Sequence, residues 1–348
     1  GYYCSNNNKQ DYNHPLTEGT WNASSKEAHY DGRTEGQSFF AVFNQGVTHE
    51  SGIRRTPHQL KTDPASVRVP DYHPDHPEVR RDWAQYYDNI ATADAWVGRH
   101  LSDLKKQGLW DETIVIFFGD HGSGMPRNKR YPGDSGLRVP MIVRVPDKYR
   151  SLAPPGYAQG EASDRLVGFI DLAPTMLSLV GIEPPSHMQG HAFMGAHVTE
   201  APEYLFGGRG RMDERIDLVR SVRDDRYLYL RNYLPHRPHG QHVNYQFQTR
   251  TTALWKQLFD ARSLTPEQAA FWEPRLPEEL YDLAKDPDAV HNLAGSREHR
   301  KVLERLRGVN RRHVLSLRDV SFVPEPILWA IGAAQPPRSF AVEPTGYR

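Results

Sequence analysis

Thr113-Ile114-Val115-Ile116-Phe117-Phe118-Gly119-Asp120-His121-Gly122 is the stretch on which the fold turns. Ile114 to Phe118 are apolar without interruption and mostly β-branched or aromatic, the pattern of a strand covered on both faces. Such strands belong to α/β sheets. There the loops at the carboxyl ends of strands form the ligand site, so Asp120 and His121 emerge where chemistry is expected. A carboxylate oxygen and an imidazole nitrogen on adjacent residues, freed by Gly119 and Gly122, can turn to one cation. The plainer reading is a strand-ending turn in which Asp120 caps the next segment, and the tetrapeptide alone does not decide between the two.

Working outward, Phe39-Phe40-Ala41-Val42-Phe43 and Met141-Ile142-Val143 repeat the buried-strand pattern. Between the first run and Ile114, apolar residues at Trp83, Tyr86, Tyr87, Ile90, Val97, Leu101 and Leu104 fall at helical spacing, and Gly108 supplies a stop. A second helix starts near Asp171, tolerates Pro174 in its first turn and is expected to bury Met176, Leu177, Leu179 and Val180. This order predicts an α/β sandwich with a mainly parallel sheet. Further on, Leu218 to Val222 and Tyr227 to Leu230, joined by Arg223-Asp224-Asp225-Arg226, predict a hairpin. A helix over about 297–317 would set Val302, Leu303, Leu306 and Val309 on one face. Residues 206–348 therefore read as a smaller α+β subdomain with an antiparallel sheet, after an α/β core over residues 1–205.

Composition narrows the function. Lys and Arg total 43 and Asp and Glu total 43, which removes the electrostatic argument for nucleic acid or an anionic membrane surface. No apolar run approaches the roughly 18 residues of a membrane span. Cys4 is the single cysteine, so an internal disulfide and a cysteine-based zinc site are both excluded. The opening Gly1-Tyr2-Tyr3 has neither an initiator Met nor a signal peptide, and the expectation is a chain that begins in mid-domain.

The segment Gly119-Asp120-His121-Gly122, then Lys129, then Gly136-Leu137-Arg138-Val139-Pro140-Met141-Ile142-Val143-Arg144, resembles the sulfatase family of the alkaline phosphatase superfamily. So do Asp94-Ala95-Trp96-Val97-Gly98, Asp171-Leu172-Ala173-Pro174-Thr175, Met188-Gln189-Gly190 and Glu279-Leu280-Tyr281-Asp282-Leu283, in family order along nearly the whole chain. The resemblance implies an alkaline phosphatase-like fold and hydrolysis of sulfate esters. It implies that Asp120 and His121 are metal ligands for one divalent cation. Calcium is expected, although many relatives carry Asn at the His121 position, an oxygen donor that suits calcium better. Lys129, nine residues before Arg138, matches a sulfate-binding lysine. Its ammonium would neutralise charge building on the sulfuryl group and leaving oxygen. Lys9 takes the place of a second such lysine, and Asp11 stands where the family usually has a histidine that helps cycle the nucleophile. His49, in Thr48-His49-Glu50, resembles the family histidine that touches the ester, where a protonated imidazole would bind the ester oxygen and protonate the leaving group. The family nucleophile is a formylglycine made from a Cys/Ser-x-Pro-x-Arg motif. Cys4-Ser5-Asn6-Asn7-Asn8 does not match it, so the nucleophile and the first metal-binding Asp pair are expected upstream of Gly1.

The pattern is most similar to bacterial sulfatases of the heparan N-sulfatase-like branch, which implies a sulfated glycan or a small sulfate ester as partner and a periplasmic or secreted location. Two stretches dense in donors, Arg209 to Arg215 and Pro235 to His242, suit sulfate, carboxylate or sugar hydroxyls, or are solvated loops. Two other readings stay open. One is a two-metal phosphodiesterase or phosphomutase of the same superfamily, with His187 and His191 offered as extra ligands. The other is a non-catalytic relative that holds a sulfated glycan with Lys9, His49 and Lys129.

Overall fold

Among the described residues, parallel pairing is confined to the start of the chain. In the computed structural model, which describes residues 1–10, 17–55 and 59–334, β1 (Tyr3–Asn7) lies between β2 (Ala23–Ser24) and β3 (Phe39–Phe43), with Cys4 opposite Phe40. A single helical turn, α1 (Glu50–Ile53), follows β3, and the long α2 (Pro77–Lys106) comes next. His76 caps α2 by accepting from Glu78 N at 3.2 Å, Pro77 opens its first turn, and Gly108, at φ +69°, ends the run. Trp83 and Leu104 are buried as the spacing predicts, and Val79 and Ala84 are buried with them, whereas Tyr87 and Ile90 stay exposed.

β4 (Val115–Phe118) pairs antiparallel with β5 (Met141–Arg144), Ile116 opposite Val143, after a loop that holds only the short α3 (Asp134–Leu137). Parallel neighbours need a crossover, usually a helix. This connection has none, so β5 returns in the opposite direction. Because β1–β3 and β4–β5 are separate sheets, the two-sided cover expected of the apolar runs is incomplete: Phe40, Phe117, Phe118 and Ile142 are exposed. α4 (Leu172–Leu179) starts where expected and buries Pro174, Thr175 and Ser178, with Val180 exposed beyond its end.

The second half forms one antiparallel sheet in chain order: β6 (Leu205–Arg209), β7 (Val219–Arg223), β8 (Tyr227–Asn232) and β9 (Glu278–Asp282). Asp224 tightens the predicted hairpin by accepting from Arg226 N at 2.9 Å. Between β8 and β9 lie α5 (Asn244–Phe247), α6 (Arg250–Asp260) and α7 (Pro266–Ala269). α8 (Arg300–Leu317) lays Leu303, Leu306 and Val309 on Val222, Tyr229 and Leu280, and α9 (Glu325–Ala334) follows. The halves are tied together: Asp82 of α2 accepts from Thr251 N and Oγ1 of α6 at 2.9 and 2.7 Å. Among the described residues, no helix is long and apolar enough to cross a membrane.

His73 sits at this junction, fully buried, with Trp83 Nε1 donating to Nδ1 at 3.2 Å and Nε2 3.0 Å from the Pro126 carbonyl. Burial pushes its pKa down to about 3, against the hydrogen bond to Pro126. Between pH 6.5 and 3 the unfolded chain takes up a proton that the folded chain refuses, so stability falls as pH drops through the unfolded value. From pH 7.5 to pH 5 this group alone should remove about 2 kcal/mol. Urea midpoints at both pH values should show that His73→Gln loses correspondingly less than wild type; equal losses would contradict this account.

Candidate active site

The loop after β4 is folded back on itself by glycines that nothing larger can replace. A Cβ on Gly122 would lie 1.9 Å from the Ser135 carbonyl oxygen, and one on Gly124 would lie 2.4 Å from Glu50 Cβ. The first contact lets Gly122 N donate to Gly136 O at 2.8 Å; the second seats the loop directly on α1. Lys129 N donates to Ser123 O at 3.0 Å, closing the loop. The residues bracketing Lys129 are left-handed, Arg127 at φ +71° and Arg130 at φ +83°. Non-glycine residues hold this conformation only where their surroundings over-determine it. Arg127 is fixed by bonds to the carbonyls of Asp288 and Ala289 at 2.8 and 2.6 Å, and Arg130 by Glu50.

Glu50 is fully buried, yet ionised. Its carboxylate accepts from Arg130 at 2.8 and 2.7 Å and lies 3.6 Å from both Lys129 Nζ and Arg54. Burial pushes its pKa up, but the Arg130 hydrogen bonds and charge, with Lys129 and Arg54, outweigh it and hold the carboxyl below the usual range. One carboxylate thus gathers three cations. Lys129 Nζ reaches His49 Nε2 at 3.2 Å, and His49 Nδ1 lies 2.9 Å from Ser51 Oγ. Burial, then the Lys129 charge, then Arg54 and His121 push the imidazole below its ordinary value, against Glu50. The free site therefore favours neutral His49 at neutral pH. That differs from the protonated imidazole expected from sequence, and the reasons are burial first and a lysine at contact distance second.

Asp120 and His121 stand beside this pair. His121 Nδ1 is 2.7 Å from the Gly122 carbonyl, which only accepts, so the neutral ring carries its proton there and leaves a lone pair on Nε2. That nitrogen is 3.6 Å from Asp120 Oδ2, and Lys9 Nζ is 3.8 Å from the same oxygen. The tautomer and the spacing fit a donor pair for a divalent cation. They supply two ligands: among the described residues no group of three or more His, Cys, Asp or Glu side chains is placed to hold a metal ion. Asp11 lies outside the described residues. Lys9 thus meets Asp120 and His121, and Lys129 meets His49, whose imidazole also feels the charge of His121.

Sequence reasoning missed Glu50 and Arg130 as the frame of this cluster. The spacing of Glu50 and Arg54, four residues apart, is the one signal that pointed to a local ion pair. The two donor-rich stretches meet each other, since Arg215 Nε donates to His242 O and Glu214 accepts from Asn244 N at 2.7 Å. Asp213 brings the first of them to Arg130 at 3.4 Å. Tyr245, on the neighbouring α5, covers Arg54 at 4.1 Å and lies 6.3 Å from the His49 ring. Arg209 is buried 3.5 Å from Asp217 with its guanidinium over the Tyr131 ring at 4.4 Å, and Arg211 pairs with Glu325.

NMR of labelled histidine, assigned with His49→Gln, should find His49 titrating below 6.5 in wild type and at higher pH in Lys129→Ala, because that variant loses a charge that disfavours the imidazolium. A titration unmoved by the substitution would separate the two side chains.

Comparison with known proteins places the chain. A family profile described as Sulfatase matches residues 2–182. An ulvan-active sulfatase of Formosa agariphila is 34% identical over 93% of this chain and 59% of its own length. N-sulphoglucosamine sulphohydrolase of Homo sapiens is 29% identical over 78% of this chain and 55% of its own length. The chain thus spans less than two thirds of these relatives. Among solved structures, a 2-O GAG sulfatase matches with TM-score 0.53 at 17% identity, covering 86% of this chain and 60% of that one. A phosphonate monoester hydrolase of Agrobacterium radiobacter matches with TM-score 0.53 at 19% identity, covering 84% and 59%. At those identities the likeness is one of fold. With a profile match over residues 2–182 and a 34% identical relative aligned along 93% of this chain, the chain belongs to the sulfatase family.

Proposed function

We propose that these residues bind and cleave a sulfate ester of a sulfated glycan. The observation that carries the proposal is the contact of Lys129 with His49, beside the Asp120–His121 pair and Lys9. Lys129 and Lys9 hold the sulfuryl oxygens and offset the charge that develops on them as the ester bond breaks. A bound anion draws Lys129 away from His49 Nε2 and favours a proton there, which His49 then gives to the departing oxygen. Members of the family use formylglycine and a divalent metal. The 348 residues contain no Cys/Ser-x-Pro-x-Arg sequence, so the nucleophile is assigned to a formylglycine outside them. Asp120 and His121 would hold the cation, calcium in this proposal, which supplies Lewis acidity at the sulfate. The names of the ulvan-active and N-sulphoglucosamine relatives support a glycan substrate, and a polymer of that kind goes with a periplasmic or secreted enzyme.

The fold likeness to a phosphonate monoester hydrolase favours a second reading, a phosphoester or phosphonate hydrolase. Steady-state kinetics of the formylglycine-bearing enzyme with an aryl sulfate and a bis-aryl phosphate side by side separates the two. The sulfatase reading expects preference for the sulfate, and a kcat lowered by about 10²–10³ in Lys129→Ala. A preference for the phosphodiester, or an unchanged sulfatase rate in the variant, would sink it.

A further inference from the structure

The interface between α8 and the antiparallel sheet opens into a cleft of about 790 Å³, and none of its walls belongs to the candidate active site. The volume falls within the roughly 300–1,000 Å³ typical of small-ligand sites. Tyr229 and Tyr233 from the β8 side and Phe322 beyond α8 give it aromatic walls. Both acidic residues that line it are already taken: Glu278 accepts from Arg307 at 2.7 and 2.7 Å, and Asp319 accepts from Arg220 at 2.5 Å. Arg231 lies over the Tyr233 ring at 5.5 Å and pairs with no carboxylate among the described residues, and Arg311 is exposed with no such partner either. Arg231 and Arg311 thus line the cleft without a carboxylate partner among the described residues.

Asn310 supplies an independent observation. It is 3% exposed, it lines the cleft, and its Nδ2 is buried without a hydrogen-bond partner. A buried donor left so is destabilising. Sequestering an amide here disfavours the free protein, and a ligand oxygen that displaces the cleft wall enough to reach it would satisfy it.

We propose that this cleft binds an acidic sugar unit, a pyranose ring bearing a carboxylate or a sulfate ester, and so holds a polysaccharide at a second point. Aromatic faces take the apolar face of a sugar ring, unpaired arginines take the anion, and the Asn310 amide donates to a ring or hydroxyl oxygen. A wholly apolar partner would leave the arginines and the amide unanswered. The proposal concerns binding alone and stands whether or not the sulfatase chemistry is correct.

Affinity electrophoresis of the full chain in gels containing polygalacturonate, dextran sulfate or neutral dextran tests it. Wild type should be retarded by at least one acidic polymer and not by dextran; the polymer that retards it tells carboxylate from sulfate ester. Arg231→Ala with Arg311→Ala should raise the dissociation constant at least about tenfold. Arg81→Ala with Arg262→Ala, which removes the same charge from exposed positions elsewhere, should leave it within about twofold. Asn310→Leu should weaken retardation without lowering the melting temperature, since it replaces an unpaired amide; a purely structural Asn310 would lower it. Equal losses in the two double variants, equal retardation by neutral dextran, or no change in the cleft variants would overturn the assignment.

Discussion

The buried ion pair between Glu50 and Arg130 is the constraint on which the arrangement of the site depends. A carboxylate with no exposed surface is costly unless it is paired and hydrogen-bonded, and here Arg130 answers both oxygens. The pair joins three distant parts of the sequence. Glu50 begins α1 behind β3, Arg130 ends the loop after β4, and Asp213 from the second half takes the remaining side of Arg130. Arg54 extends the same network through bonds to Tyr245 O and Gln248 at 2.6 and 2.9 Å. Removing one partner from a buried pair of this kind costs about 3–5 kcal/mol, so the loop carrying Lys129 is held with little freedom. One carboxylate among three cations leaves net positive charge, which suits an anionic group arriving at Lys129.

The site was legible in the sequence where a residue's place followed from a strand end. Asp120, His121 and His49 follow apolar runs that do form strands, whereas Lys129 stands out only through the family resemblance, which places a lysine nine residues before Arg138. The partners that set their chemistry were not legible. Glu50 and Arg130 are 80 residues apart, and nothing local distinguishes a buried pair from two solvated charges. The charge state of His49 depends on its burial and on a lysine brought up from another loop, so residue type alone could not give it.

The same limit appears in the fold. The hairpin of β7 and β8 and the helix α8 are local, and both stand where periodicity put them. The direction of β5 relative to β4 depends on what connects them, and an apolar run carries no information on strand direction. Burial was misjudged at Tyr87, Ile90 and Val180, where helical spacing was counted but the neighbour to be packed against was unknown. Asn310, an ordinary polar residue on a helix in the sequence, becomes informative only once its amide is seen buried without a partner.

The central claim is that the Lys129–His49 contact, framed by Glu50, marks the place where a sulfate group sits. Selenate has the shape and charge of sulfate and scatters anomalously, so a crystal of the protein soaked in selenate locates that group without any turnover. The account predicts a selenium peak within hydrogen-bond reach of Lys129 Nζ and His49 Nε2, weakened or lost in Lys129→Ala. Selenate bound elsewhere, with the space between Lys129, His49 and Lys9 empty at saturating concentration, would contradict it.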